Sequence, residues 1–204
     1  MGFKESVKKF NSGRSQAGVG KVIATKYFDE VFDGFCIECG ALDGITLSVC
    51  RDFVNRLGWK CLNIEANIDS YNKLIKNRPE AINLNYALSD TDDSFLFITN
   101  PSKKKLARVA KKAHKDNHKV PTRTYKSIIE DLKITKVDLF ILDVEGHEAQ
   151  AIRGMIGCDV LPKVICLEAH KDEHLDKIKV ELSKLNGEYV LAESYRYNHT
   201  FVLQ

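Results

Sequence analysis

Apolar positions along the chain follow two rhythms in turn. Residues 35–39 form a short apolar run, Gly40 breaks it, and from Ile45 the spacing becomes helical, so that Ile45, Leu47, Val49, Phe53, Val54 and Leu57 can share one broad face. The alternation then repeats. Residues 60–64 and 82–88 read as strands, and the helical stretch 69–77 between them is closed by Pro79. Residues 95–99 alternate and read as an extra strand. Further on, 124–132, 148–155 and 175–185 read as helices, the last stopped by Asn186-Gly187, while 137–144, 164–167, 189–192 and 200–203 read as strands. Strands alternating with helices predict a parallel α/β sheet. Ahead of it, residues 1–33 are expected to form a helical appendage, with a helix near 21–27 packed on the sheet by Val22, Ile23, Tyr27 and Phe28, and residues 34–204 to form the main domain.

The strand ends carry the chemistry. The first ends on Glu38, followed by the turn Gly40-Ala41-Leu42-Asp43-Gly44. The second ends on Glu65, about 20 residues past the turn, where a ribose-binding acid belongs. The third ends on Ser89-Asp90. Strand, glycine turn, helix is the arrangement that seats a nucleotide-like ligand, the glycines letting it approach the backbone and the helix N-terminus offering N–H groups. The turn has neither a third fingerprint glycine nor a Gly-Lys-Ser/Thr phosphate loop. Three strand-end acids without a phosphate-cradling cation favour S-adenosylmethionine (SAM), a cationic sulfonium without phosphates, over NAD.

Composition changes this picture little. Of 204 residues, 44% are hydrophobic and 29% charged, and the net charge of +3 is that of an ordinary globular protein. No apolar run approaches the ~20 residues of a membrane span. The N-terminal stretch has no signal-peptide character, so a cytoplasmic location is expected. Six cysteines fit a reducing compartment. Cys36 and Cys39 are three apart in a strand and point to opposite faces, and no second pair completes a zinc site, so all six are expected to be buried, reduced and structural. Residues 101–119 are the exception to ordinary composition, with Asp116 the only acid among eight lysines and arginines. They read as a solvated insertion, or as a basic lid over an anionic substrate or nucleic acid. The run lacks the aromatics on which single strands would stack.

Several stretches resemble the FkbM-type SAM-dependent methyltransferases: Glu38-Cys39-Gly40-Ala41-Leu42-Asp43-Gly44, then Ile64-Glu65-Ala66-Asn67, Ala87-Leu88-Ser89-Asp90, and most specifically Leu142-Asp143-Val144-Glu145-Gly146-His147-Glu148 with Ala151-Ile152-Arg153-Gly154. Ser15-Gln16 resembles an N-terminal element of one branch. The departures are Cys39 and the basic insertion. The resemblance implies a class I methyltransferase fold: a Rossmann-like three-layer sandwich whose seven-stranded sheet has the order 3-2-1-4-5-7-6, strand 7 antiparallel. It implies methylation of hydroxyl groups on small molecules, often sugars.

On that reading Glu38, Gly40, Ala41, Asp43 and Gly44 serve the methionine end of SAM, Glu65 and Ala66 the ribose, and Ser89 and Asp90 the adenine. Asp143 lies beside the methyl. A hydroxyl acceptor needs a base or a metal. Asp143, Glu145 and a neutral His147 are the candidate catalytic groups, and Asp143, Glu168 and His170 offer donors for Mg²⁺, as a related O-methyltransferase family does at these strand ends. The competing expectation is a nucleic-acid-binding or RNA-directed methyltransferase. The Asn-Pro-Pro-Tyr motif of base methylation is absent.

Overall fold

The computed structural model describes residues 2–10, 18–99, 108–110 and 117–204. The Ser15-Gln16 element and most of the basic stretch lie outside them. In chain order the elements are α1 (Phe3–Lys8), α2 (Val19–Tyr27), β1 (Phe35–Cys39), α3 (Cys50–Leu57), β2 (Lys60–Ile64), α4 (Ile68–Asn77), β3 (Ile82–Leu84), β4 (Ala87–Leu88), β5 (Phe95–Ile98), β6 (His118–Arg123), α5 (Tyr125–Asp131), β7 (Leu139–Leu142), α6 (Glu148–Arg153), β8 (Val164–Glu168), α7 (Asp172–Leu182), β9 (Tyr189–Tyr195) and β10 (Asn198–Leu203).

Seven strands pair in the order β3-β2-β1-β7-β8-β10-β9, and β4-β6-β5 form a second, small sheet. The main sheet is parallel from β3 to β8, while β10 runs antiparallel to both β8 and β9. This is a class I methyltransferase-like α/β fold. Its order differs from the expected 3-2-1-4-5-7-6 because β4, β5 and β6 intervene in the chain and leave the main sheet. The stretch 82–88 is thus two strands and not one: β3 pairs with β2, and β4 pairs with β6. Strand β6 went unread, because its Pro121 and its lysine-rich approach hide the alternation.

Period-two alternation sends successive residues to opposite layers. Ile37, Cys39, Leu62, Ile64, Phe140 and Leu142 face the core built with α5, α6 and α7. Cys36, Cys61, Leu139 and Ile141 face the other core, to which α1, α2 and α3 contribute Phe3, Val7, Ile23, Phe28, Phe53 and Leu57. Residues 2–10 and 18–28 therefore share the core of the sheet.

Helix α3 starts at Cys50, five residues later than the apolar spacing suggests. Asp43 holds the intervening turn, accepting from the Ile45 and Thr46 N–H groups at 2.9 and 2.7 Å and from the Thr46 hydroxyl at 2.9 Å. Leu47 takes a positive φ of 61°. At the far end, Gly58 at φ 74° supplies the left-handed cap. Helix α4 starts on Asn67, whose side chain accepts from the Asp69 and Ser70 N–H groups.

An aromatic cluster binds α3 to the sheet. The Phe53 ring lies 4.7 Å from that of Trp59 and 5.3 Å from that of Phe10, and Trp59 donates to the Val31 carbonyl at 3.2 Å. Phe53 is fully buried. Phe53→Ala is expected to cost about 3–5 kcal/mol of stability, read as a lower urea midpoint at unchanged slope.

Candidate functional site

The carboxyl ends of β1, β2 and β7 enclose a cavity, where ligands bind in open α/β sheets. Its walls include Gly40, Leu42, Glu65, Ala66, Asn67, Leu88, Ile98, Arg108, Val109, Asp143, Glu145 and His147. A smaller lobe, lined by Glu38, Ala41, Ser48 and Val49, shares Gly40, Leu42 and Asp143 with it. Beyond Glu145 an outer cleft runs between Arg108, Glu168, His170, Lys171, His174 and Lys177.

Gly40 decides how these parts meet. Its φ is +85°, and a Cβ there would stand 1.8 Å from the Asp143 carbonyl oxygen. The residue is thus a glycine because the β1 turn crosses the end of β7. Gly44 is likewise consumed internally: a Cβ would press on Arg78 and Leu74 at 2.5 and 2.6 Å. Gly40 lines both lobes of the cavity, and Gly44 lines neither.

The strand-end acids hold turns in place. The Glu38 carboxylate accepts from the Ser48 hydroxyl at 2.5 Å and from the Val49 and Cys50 N–H groups at 2.6 and 3.3 Å, so it caps α3. Of the N–H groups expected to be open at this helix start, that of Cys50 goes to Glu38 and that of Arg51 to the Ser48 hydroxyl at 3.2 Å. Glu65 accepts from the Leu42 N–H at 2.8 Å and the Asn67 N–H at 2.7 Å, one bond per oxygen. A carboxylate has roughly four lone-pair sites, so each oxygen keeps capacity toward the cavity. Burial pushes both glutamates up to about 7. Glu148 accepts from the Val144 and Gly146 N–H groups at 3.0 and 3.1 Å, and lies 3.1 Å from His174. It braces the turn after β7, in which Glu145 (φ 55°) and Gly146 (φ 103°) are both left-handed.

Asp143 is pushed up to about 8, first by burial and then by the charge of Glu168. Glu145 is held by Arg108, whose Nη2 and Nε lie 2.7 and 2.9 Å from its carboxylate. His147 points at Ser89, Nε2 to Oγ 3.0 Å, and burial lowers its pKa. Asp90 receives Arg153 at 2.8 Å, and neither Ser89 nor Asp90 lines the cavity. Asp43 and Gly44 also stand outside its walls. Glu168 and His170 are 3.4 Å apart. Asp143, Glu168 and His170 do not converge as a ligand set: among the described residues the group whose donor atoms lie within 4.8 Å of one another is Cys36, Cys50 and Cys61. The Mg²⁺ expectation is not supported.

Arg108 was missed as a site residue because it stood among many like charges. Its position comes from pairing: Thr99 N–H donates to its carbonyl at 2.8 Å, Ala110 N–H to Phe97 at 2.6 Å, and Val109 bridges Ile98. Ile98 and Val109 then wall the cavity. Only the three-dimensional pairing of β5 with this segment shows it.

Among the described residues no helix is long and apolar enough to cross a membrane. A comparison with curated proteins returns no match. Solved structures share the fold. A precorrin-6y C5,15-methyltransferase from Geobacter metallireducens GS-15 aligns at 14% identity over 97% of this chain and 91% of its own, with a TM-score of 0.50. A putative S-adenosyl-L-methionine-dependent methyltransferase from Methanococcus maripaludis aligns at 8% over 91% and 83%, with a TM-score of 0.51. The METTL16 methyltransferase domain aligns at 12% over 92% and 66%, with a TM-score of 0.54. At these identities the likeness is one of fold. The methyltransferase FkbM domain model matches residues 38–191, from the acid of β1 into β9. The chain therefore belongs to the FkbM methyltransferase family.

Proposed function

We propose that this methyltransferase uses SAM to methylate a hydroxyl group on a small polar acceptor. The observation that carries the reading is the carboxyl pair of Asp143 and Glu168. Asp143 lines the inner cavity, Glu168 lines the outer cleft, and the charge of Glu168 acts on Asp143 across the wall. A hydroxyl is a poor nucleophile until its proton has somewhere to go. Asp143, with its pKa raised toward neutrality by burial and Glu168, is a base poised for that proton.

The residues present fit the cofactor. The cavity wall carries Glu65, Asp143 and Glu145 against one cation, Arg108, which Glu145 already holds. That excess of acid suits a cationic sulfonium and has no provision for phosphates. When bound, SAM supplies an electrophilic methyl group. Glu65 has acceptor capacity for the two ribose hydroxyls. Glu38 shapes the methionine end through α3 and the turn, and Leu88 and His147 offer walls to the base. Asp143 orients the acceptor hydroxyl and takes its proton, and proximity supplies much of the remaining rate. His147, turned to Ser89, serves the wall rather than the proton. The acceptor reaches Asp143 through the outer cleft, whose mixed charges suit a polar small molecule such as a sugar or an anionic metabolite. An RNA acceptor is not favoured.

Glu65→Gln is the milder probe of cofactor binding, because its amide oxygen still accepts from one of the Leu42 and Asn67 N–H groups, whereas Glu65→Ala orphans both. The glutamine variant is expected to weaken SAM by about 1.5–3 kcal/mol, measured by calorimetric titration on protein shown to be folded by circular dichroism. An unchanged affinity would remove Glu65 from the site.

Asp143→Asn keeps shape and removes the base. We expect turnover to fall about 10²–10⁴-fold with SAM affinity retained, in a mass-spectrometric assay against a panel of sugars, sugar nucleotides, hydroxy acids and RNA. Methylation of RNA alone, or wild-type turnover by the variant, would overturn the reading.

The pH profile follows with a definite sign. Asp143 acts deprotonated, and its pKa of about 8 lies far above the ordinary aspartate value. Turnover at fixed subsaturating acceptor should therefore rise from about pH 6 to about pH 9 and then level. A profile flat over that range would exclude Asp143 as the base.

A further inference from the structure

Three thiols that the methyl-transfer chemistry does not use converge in the layer between sheet and α3. Cys36 and Cys61 are register partners on β1 and β2, so their side chains share a face. Cys50, the first residue of α3, closes the triangle. The three Sγ atoms lie within 4.8 Å of one another, and all three residues are buried. The spacing argument against zinc considered Cys36 with Cys39, which do point apart. Folding supplies different partners from β2 and α3.

As thiols the three have ordinary acceptors: Cys36 the Lys60 carbonyl at 3.4 Å, Cys50 the Ile37 carbonyl at 3.7 Å, Cys61 the Asn63 Oδ1 at 3.2 Å. A second observation does not fit neutral packing. Arg78 is 2% exposed. Its Nε meets Glu80 at 2.6 Å and Nη1 the Gly44 carbonyl at 3.3 Å, but the buried Nη2 has no acceptor in place. Its charge acts on Cys61. A buried guanidinium with an unused donor calls for an anion, and three thiols become one only on losing protons.

We propose that Cys36, Cys50 and Cys61 form a closed structural site for one thiophilic cation, Zn²⁺. Three thiols lose three protons and bind the ion as thiolates, which leaves one net negative charge. Arg78, which also pairs with Glu80, offsets part of it, whereas a monovalent ion would leave one more charge in the core. Asn63 Oδ1, 3.2 Å from the Cys61 sulfur, is the candidate fourth donor. The ion would tie β1, β2 and the start of α3 together, the same start whose N–H groups rest on Glu38. It would stabilise the fold and take no part in methyl transfer.

The test refolds the full chain anaerobically, under reductant, with Zn²⁺, Cu⁺ or Co²⁺ in separate arms. Loosely held ions are stripped with a chelator, and metal per chain is measured by atomic emission. We expect one Zn²⁺ retained per chain, a higher melting temperature in the loaded protein, and a thiolate-to-cobalt charge-transfer band in the Co²⁺ arm. Cys36→Ser and Cys61→Ser should lose the ion, while Cys158→Ser, outside the cluster, keeps it. If the cluster variants fail to fold, the wild type decides alone: no retained zinc and no charge-transfer band overturns the site. Retention of copper in place of zinc overturns the charge argument and the zinc assignment with it. Full zinc occupancy in a folded Cys36→Ser or Cys61→Ser variant also overturns it.

Discussion

The contact on which the site depends is backbone against backbone. Gly40 sits over the Asp143 carbonyl so closely that no β-carbon fits between them. This contact continues the parallel register of β1 and β7, with Asp143 N–H donating to the Cys39 carbonyl at 3.0 Å. The crossing places the Asp143 carboxyl group under the glycine turn, in both lobes of the cavity at once. Any side chain at position 40 would have to part the two central strands, because the clashing atom is backbone and cannot rotate away.

Around that crossing, acids serve as structural ties before they serve a ligand. Glu38 caps α3, Glu65 joins two turns, and Glu148 braces the signature turn. Each removes a buried orphan N–H, which would otherwise cost about 1–3 kcal/mol. Burial is the main reason that Glu38, Glu65 and Asp143 all hold protons more tightly than free carboxyls, and at Asp143 the like charges of Glu168, Glu145 and Glu148 add repulsion. A positive ligand relieves that repulsion.

The second sheet gives the cavity its outer wall. Strands β4, β5 and β6 carry Leu88, Ile98 and, through the bridge to Val109, Arg108 to its mouth. Arg108 touches both the inner cavity and the outer cleft and is anchored on Glu145, so an ion pair stands between the two spaces.

Local patterning determined much by itself. Alternation and helical spacing along the chain suffice for a parallel α/β sheet, because side-chain period depends only on the backbone conformation of neighbours. The motif of residues 142–148, with Glu38 and Glu65, suffices for the family and for the acids that face the cavity. Other features belonged to tertiary structure alone. That Gly44 packs on Arg78, that residues 82–88 divide between two sheets, and that β6 exists at all depend on partners distant in sequence. So does the use of Asp90 by Arg153 instead of the cavity. The cysteines show the reason most plainly. Cys36 and Cys39 are neighbours in the chain and sit on opposite faces of one strand, whereas Cys36, Cys50 and Cys61 meet because register and helix docking, not spacing, decide which side chains touch.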